Sequence, residues 1–377
     1  MGLFDFLRNK SKSKPSDVMR RLSADLRGLQ GLAGQQTSLI ISDEECHELE
    51  NYLAAACAGN TANVYVKKQP KSEEVEKCLA VAESTDLLLH ISKKVAFLLP
   101  ETRRIVSAIW GYLLKVESPR SFQRPMVEYL TKHTEAADNL LSIYGRNSGA
   151  IDVIIGVMIR DATRFQKVVE HVFRRDLVFS LFTVLTSTNF DVSSDAFQTL
   201  KEILVNHKEV SAPWLSHNFD KFFGDYMKLV NAGSDGDYVT VRQSLGILST
   251  ILLDRQFMDV MIQFVNQEEF LKPVLILMDN SSKVVRFEAF HIFKIFAANP
   301  NKTPKIIRIL TQNHNRIMKL LESIEQDRSE DVEFCQDKTA VVRKLNSLKE
   351  KAERSFVSNS SGKASSQSSE TGETKPP

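Results

Sequence analysis

Few side chains in this 377-residue sequence stand at spacings that do chemistry. His47-Glu48-Leu49-Glu50-Asn51 begins as a zinc-protease helix does. Such a helix needs a second imidazole one turn on, facing the same way, to complete the metal's ligand pair. Asn51 occupies that place, so the stretch reads as polar residues on a solvated helix face. Asp235-Gly236-Asp237 lacks the alternating oxygen ligands and the closing glutamate of a calcium loop. The eight histidines are scattered, and His291, between Phe290 and Ile292, is expected to be a satisfied core or groove residue. Cys46, Cys57, Cys78 and Cys335 lie far apart and read as reduced thiols, neither staples nor zinc ligands. There is no phosphate-binding glycine loop, nucleophile elbow or kinase catalytic loop. The sequence predicts no catalysis, no metal and no cofactor.

What remains are cations suited to recognition. Arg242 and Arg255 lie thirteen residues apart on what reads as one amphipathic helix, a separation of about 20 Å. An arginine fork pairs bidentately with carboxylates and is enriched at protein interfaces. The alternative is a salt bridge, exposed or within one repeat.

The elements that must carry these residues are helices. Leu215, Phe219, Phe222, Phe223, Tyr226, Leu229 and Val230 step by three and four, and Ile317, Leu320, Leu321 and Ile324 repeat the pattern. No stretch alternates long enough to propose a sheet, and Gly 15 and Pro 11 are too few for a turn-rich β fold. One motif recurs: a small or polar residue, then apolar residues at the next position and three, six and seven beyond it. It appears as Ala196-Phe197-Leu200-Ile203-Leu204, Ser244-Leu245-Leu248-Ile251-Leu252 and Ala289-Phe290-Phe293-Phe296-Ala297, starting 48 and 45 residues apart. A weaker copy, Ile155-Gly156-Ile159-Ala162, lies 41 residues upstream. This is the period of HEAT and armadillo units, in which each helical group buries its apolar face against the next. The small opening residue lets neighbouring helices approach closely. The predicted fold is all-α, an armadillo/HEAT-like right-handed solenoid curved into a horseshoe, with room for roughly seven units.

Three regions follow: a flexible basic hook at 1–14, a helical-repeat domain at 15–350 and a disordered Ser-rich tail at 351–377. Forty-nine Lys and Arg against 47 Asp and Glu give no drive toward nucleic acid. No apolar run is long enough to span a bilayer, and the first residues do not form a secretory signal. A cytoplasmic location without integral membrane association is expected.

Asn189-Phe190-Asp191-Val192-Ser193-Ser194-Asp195-Ala196-Phe197 resembles a hallmark of the calcium-binding protein 39 family, armadillo-like scaffolds of sterile-20-type kinases. Further likeness lies in Tyr238-Val239-Thr240 with Arg242-Gln243-Ser244-Leu245, in Leu252-Leu253-Asp254-Arg255, and in Phe287 to Phe296 running into Ala298-Asn299-Pro300-Asn301-Lys302-Thr303. Asp327-Arg328-Ser329-Glu330-Asp331 resembles the family's acidic close, and the residues around Gly233–Gly236 look like additions. The resemblance implies a non-enzymatic scaffold that binds and activates a sterile-20-like kinase or pseudokinase in signalling and cell polarity, monomeric until a partner binds. It implies a concave kinase-binding face at Phe190, Arg242, Arg255 and Met258, the last a phenylalanine in relatives. It implies a C-terminal pocket for a short Trp-Glu-Phe-like peptide at Met261, Lys272, Leu275 and Gln312. In that pocket Leu275 replaces methionine and Gln312 replaces lysine, removing a cation that would meet the peptide's carboxylate. The competing reading is a structural adaptor in morphogenesis or the cytoskeletal and division machinery, without kinase activation.

Overall fold

Proline and capping side chains set where the helices begin. Pro15, Pro100, Pro125 and Pro304 open their helices at the first turn, where a missing N–H costs nothing. The Asn189 side chain accepts from the amides of Asp191 and Val192, that of Ser282 from Val285, and that of Thr303 from Ile306. The computed structural model describes residues 13–30, 36–58, 70–147, 149–231, 238–327 and 330–364, with side chains described as far as residue 354. Most of the expected N-terminal hook, Val64-Tyr65-Val66, Gly233–Gly236 and residues 365–377 lie outside them.

Two compact units result, Met1–Trp214 and Leu215–Pro377, where one repeat domain over 15–350 was expected. The first contains α1 (Pro15–Gly28), α2 (Asp43–Ala58), α3 (Ser72–Ser84), α4 (Leu87–Lys94) and α5 (Pro100–Lys115). It continues with α6 (Pro125–Lys132), α7 (Glu135–Ile143), α8 (Gly149–Thr163), α9 (Gln166–Arg174), α10 (Ser180–Leu185) and α11 (Phe190–Val205). After α12 (Lys208–His217), the second unit has α13 (Phe219–Asn231), α14 (Tyr238–Leu253), α15 (Met258–Val265) and α16 (Glu268–Leu277). It ends with α17 (Lys283–Ala298), α18 (Pro304–Gln312), α19 (His314–Asp327) and α20 (Val332–Ala364). Among the described residues the β pairing is confined to an isolated bridge between Thr37 and Leu98. The last helix runs through the boundary drawn at 351 and on to Ala364.

Every third helix is long and stacks on its counterpart in the next repeat. In the first unit α2 packs on α5, α5 on α8 and α8 on α11; in the second, α14 packs on α17 and α17 on α20. The repeat has three helices and the 41-, 48- and 45-residue spacings of the sequence, since α8, α11, α14 and α17 begin at 149, 190, 238 and 283. All residues of the three strong motif copies are buried, as are Ile155, Ile159 and Ala162 of the weaker one. Truncating a core phenylalanine such as Phe293 to alanine costs about 3–5 kcal/mol.

Close approach of successive repeats is seen at Gly156, the second residue of the weaker motif copy, where a Cβ would lie 1.7 Å from Oδ2 of Asp195 on α11. Asp195 accepts there from Tyr144 Oη at 2.6 Å and pairs with Arg160 at 2.7 Å. Burial, then the Asp195 carboxylate, pushes the Tyr144 phenol upward and keeps it a donor. One repeat earlier the device recurs: Gly111 faces the Asp161 carboxylate, which Lys115 approaches at 3.7 Å. In both, the cation sits one turn after the glycine, so a carboxylate from the next repeat is seated in the gap and neutralised.

Candidate protein-docking site

Much of the residue pattern that stands out in sequence is committed to holding the fold. Within 189–197, Asn189 caps α11, the Ser193 hydroxyl donates to Leu185 O at 2.8 Å, and Asp195 joins α11 to α8. Val192 and Phe197 are buried, while Phe190 is 60% exposed. In Ala298 to Thr303, Lys302 Nζ donates to Ala297 O at 2.9 Å and Asn299 O at 2.6 Å, closing the end of α17. Burial holds the Lys302 amine below the usual lysine range. Asp327 pairs with Lys283 at 2.8 Å and with Arg286, which together hold its carboxyl below the ordinary value. Asp331 Oδ1 accepts from Phe334 N at 3.0 Å at the start of α20.

Arg242 and Arg255 are not spent in this way. Both are exposed, and among the described residues neither has an ion pair or a side-chain hydrogen bond. They do not share one helix, as the spacing suggested. α14 stops at Leu253, Asp254 turns extended (φ −87°, ψ 129°), and its side chain accepts from Gln256 N at 2.9 Å. Arg255 then opens a 3₁₀ turn ending at Phe257, whose buried ring anchors the corner, and Met258 follows, exposed, at the start of α15.

The corner borders a cavity of about 330 Å³ in the second unit. Its walls come from the end of α14, from Met258 and Met261 of α15, from Lys294, Ile295 and Ala298 of α17, and from Asp337, Ala340, Val341 and Lys344 of α20. Arg255, Met258 and Met261 are therefore neighbours around one cavity. Lys272 and Leu275 lie one turn apart on α16, exposed and half-buried respectively, and Gln312 is the exposed last residue of α18, which packs on α16. None of these three lines the cavity. Phe190 belongs to the first unit. The α20 contribution was missed in sequence, although residues 337, 340, 341 and 344 show the spacing of one helix face.

His47 sits on the α2 surface, 3.0 Å from Glu50 and 3.3 Å from Glu101, with Arg104 at 3.2 Å. Among the described residues no group of three His, Cys, Asp or Glu could hold a metal, and no helix is long and apolar enough to cross a membrane. His291 is half-buried, and its Nδ1, expected to be satisfied, finds no hydrogen-bond partner among the described residues. The ring meets Phe287 edge-on at 4.5 Å, and burial pushes its pKa down, toward the neutral imidazole.

Residues 4–349 match the profile of the Mo25-like family. The chain belongs to that family. It is 29% identical over 344 residues to "Calcium-binding protein 39-like" of Homo sapiens, covering 91% of this chain and 98% of that one. It is 30% identical over 343 residues to "Mo25-like protein" of Schizosaccharomyces pombe, covering 91% and 99%. Among solved structures an engineered protein is similar with TM-score 0.48 at 12% identity, covering 87% of this chain and 68% of that one. The Mo25-like match takes in both compact units, so Arg242, Arg255, the cavity and α20 to residue 349 all fall within the family region.

Proposed function

We propose that this Mo25-like protein is a non-enzymatic cytoplasmic scaffold that binds a sterile-20-type kinase or pseudokinase and stabilises its active conformation. The observation that carries this reading is that Arg242 and Arg255 are exposed and have no ionic partner among the described residues, while Arg160 and Arg286 are neutralised by carboxylates of the fold. An unpaired arginine fork beside exposed Met258 is suited to a partner's carboxylate and apolar surface. Phe190 supplies a further apolar contact, and Lys272, Leu275 and Gln312 a separate seat for a partner's peptide. That seat adds affinity through tethering without choosing between conformations.

Activation follows if this face contacts the active kinase conformation better than the inactive one. A hundredfold shift requires about 2.7 kcal/mol of differential affinity, within the range of two interfacial arginines. In a reconstituted kinase assay, Arg242→Ala with Arg255→Ala should abolish stimulation while helical content and melting temperature stay near those of the parent. Stimulation that persists in the folded double variant would overturn the proposal.

A further inference from the structure

We infer that Met258 is an oxidation site: a hydroperoxide converts its thioether to the sulfoxide, and the docking face loses affinity for its partner until that oxygen is removed. This rests on the reading of the face as a docking surface, and names how its occupancy is regulated. Met258 is 45% exposed, and no other methionine among the described residues is exposed. Met19, Met126, Met158, Met227 and Met278 are buried, and Met261 and Met318 are half-buried. An oxidant in solution therefore reaches Met258 first. The fold puts it there: the Asp254 cap ends α14, the buried Phe257 ring anchors the corner, and the next residue is turned out at the first turn of α15. Oxidation at that place changes the surface and spares the core.

The step is a two-electron oxygen transfer. The peroxide O–O bond breaks, an S–O bond forms, and the hydroperoxide leaves as an alcohol, or as water when it is hydrogen peroxide. An adaptable apolar side chain becomes a polar, chiral one. Its new oxygen is an acceptor. The Arg255 fork borders the same cavity, has no ion pair or side-chain hydrogen bond among the described residues, and holds donors for that oxygen. Oxidation thus sets a polar group against the partner's apolar surface and draws on the cation that would meet the partner's carboxylate. Methionine sulfoxide reductase reverses the step, giving back the thioether and water while two thiols become a disulfide.

The full-length protein is treated with hydrogen peroxide, cleared of it with catalase, mapped by peptide mass spectrometry and titrated into the reconstituted kinase assay. Met258 should gain oxygen before Met261 and Met318. The concentration giving half-maximal stimulation should rise about tenfold, the scale of one desolvated polar group left without its partner. Methionine sulfoxide reductase with dithiothreitol should restore it, whereas dithiothreitol alone, which repairs only oxidised thiols, should not. In Met258→Leu the midpoint, whatever its own value, should no longer move with peroxide. Met258→Gln, a polar stand-in for the sulfoxide, should raise the midpoint without peroxide and leave the melting temperature unchanged.

Oxidation of Met261 or Met318 as fast as Met258 would overturn the inference. So would an oxidised parent of undiminished potency, or a Met258→Leu variant that still responds to peroxide. The two readings fail differently. A reduced parent that stimulates no kinase overturns the docking reading and the regulation with it, whereas a parent that stimulates equally before and after oxidation overturns the regulation alone.

Discussion

Gly156→Ala probes what spaces successive repeat helices. The added Cβ would lie 1.7 Å from Asp195 Oδ2, 2.8 Å from its Cγ and 2.9 Å from Tyr144 Oη. The carboxylate must give way, yet it is held by Arg160 at 2.7 Å and Tyr144 at 2.6 Å, and little of either ion-pair side chain is exposed. Overpacking and one strained or lost buried hydrogen bond each cost about 1–3 kcal/mol, against a gain of about 1 kcal/mol from alanine's helix propensity. The net is a destabilisation of about 3 kcal/mol. In an Asp195→Ala background the obstacle is gone, and Tyr144 is released to shift. There the same substitution should be neutral to about 1 kcal/mol stabilising, although that background is itself weakened by about 3–5 kcal/mol because Arg160 is left without its counter-charge. Urea unfolding followed by circular dichroism, with unchanged m, reads out the cycle. An equal cost in both backgrounds would show that Asp195 is not what excludes a side chain at 156.

Phe122 is held at φ +53° by a turn in which its N–H donates to Ser118 O at 2.8 Å, yet its ring is 79% exposed. Left-handed strain of roughly 1–2 kcal/mol exceeds the entropy cost of glycine, so Phe122→Gly should raise the melting temperature by calorimetry; a fall refutes the argument. Burial, more than their acidic neighbours, pushes the Cys46 and Cys78 thiols up to about 12. Both therefore stay protonated in the native protein at pH values well below that figure, and iodoacetamide at mildly alkaline pH should spare them until urea exposes them. Peptide mass spectrometry showing native-state labelling at the unfolded rate would contradict this.

The face around Arg255 was only partly legible in sequence. Arg242, Arg255 and Met258 were picked out as contacts, and the fold leaves them exposed. Their grouping was not legible: Met261, assigned with Leu275, lines one cavity with Arg255 and Met258, because the Asp254 cap ends α14 and redirects the chain into α15. The Lys294–Asp337 pair joins residues 43 positions apart on α17 and α20, and no local pattern announces it. The reading of Ser-rich sequence as disorder stopped the last helix too early, since composition registers the scarcity of apolar groups but not the propagation of an established helix.

Apolar spacing within each helix and recurrence at 41, 48 and 45 residues were sufficient to determine an all-helical chain of repeating groups. They sufficed because a lone helical group cannot cover its own apolar face, so the pattern carries the demand for a neighbour. Which charges remain uncompensated was decided only in three dimensions. Arg160 and Arg255 look alike in sequence, but an aspartate from the next repeat neutralises one and no described carboxylate reaches the other. Pairing between residues far apart in the chain depends on how helices stack, and stacking is a property of the folded molecule.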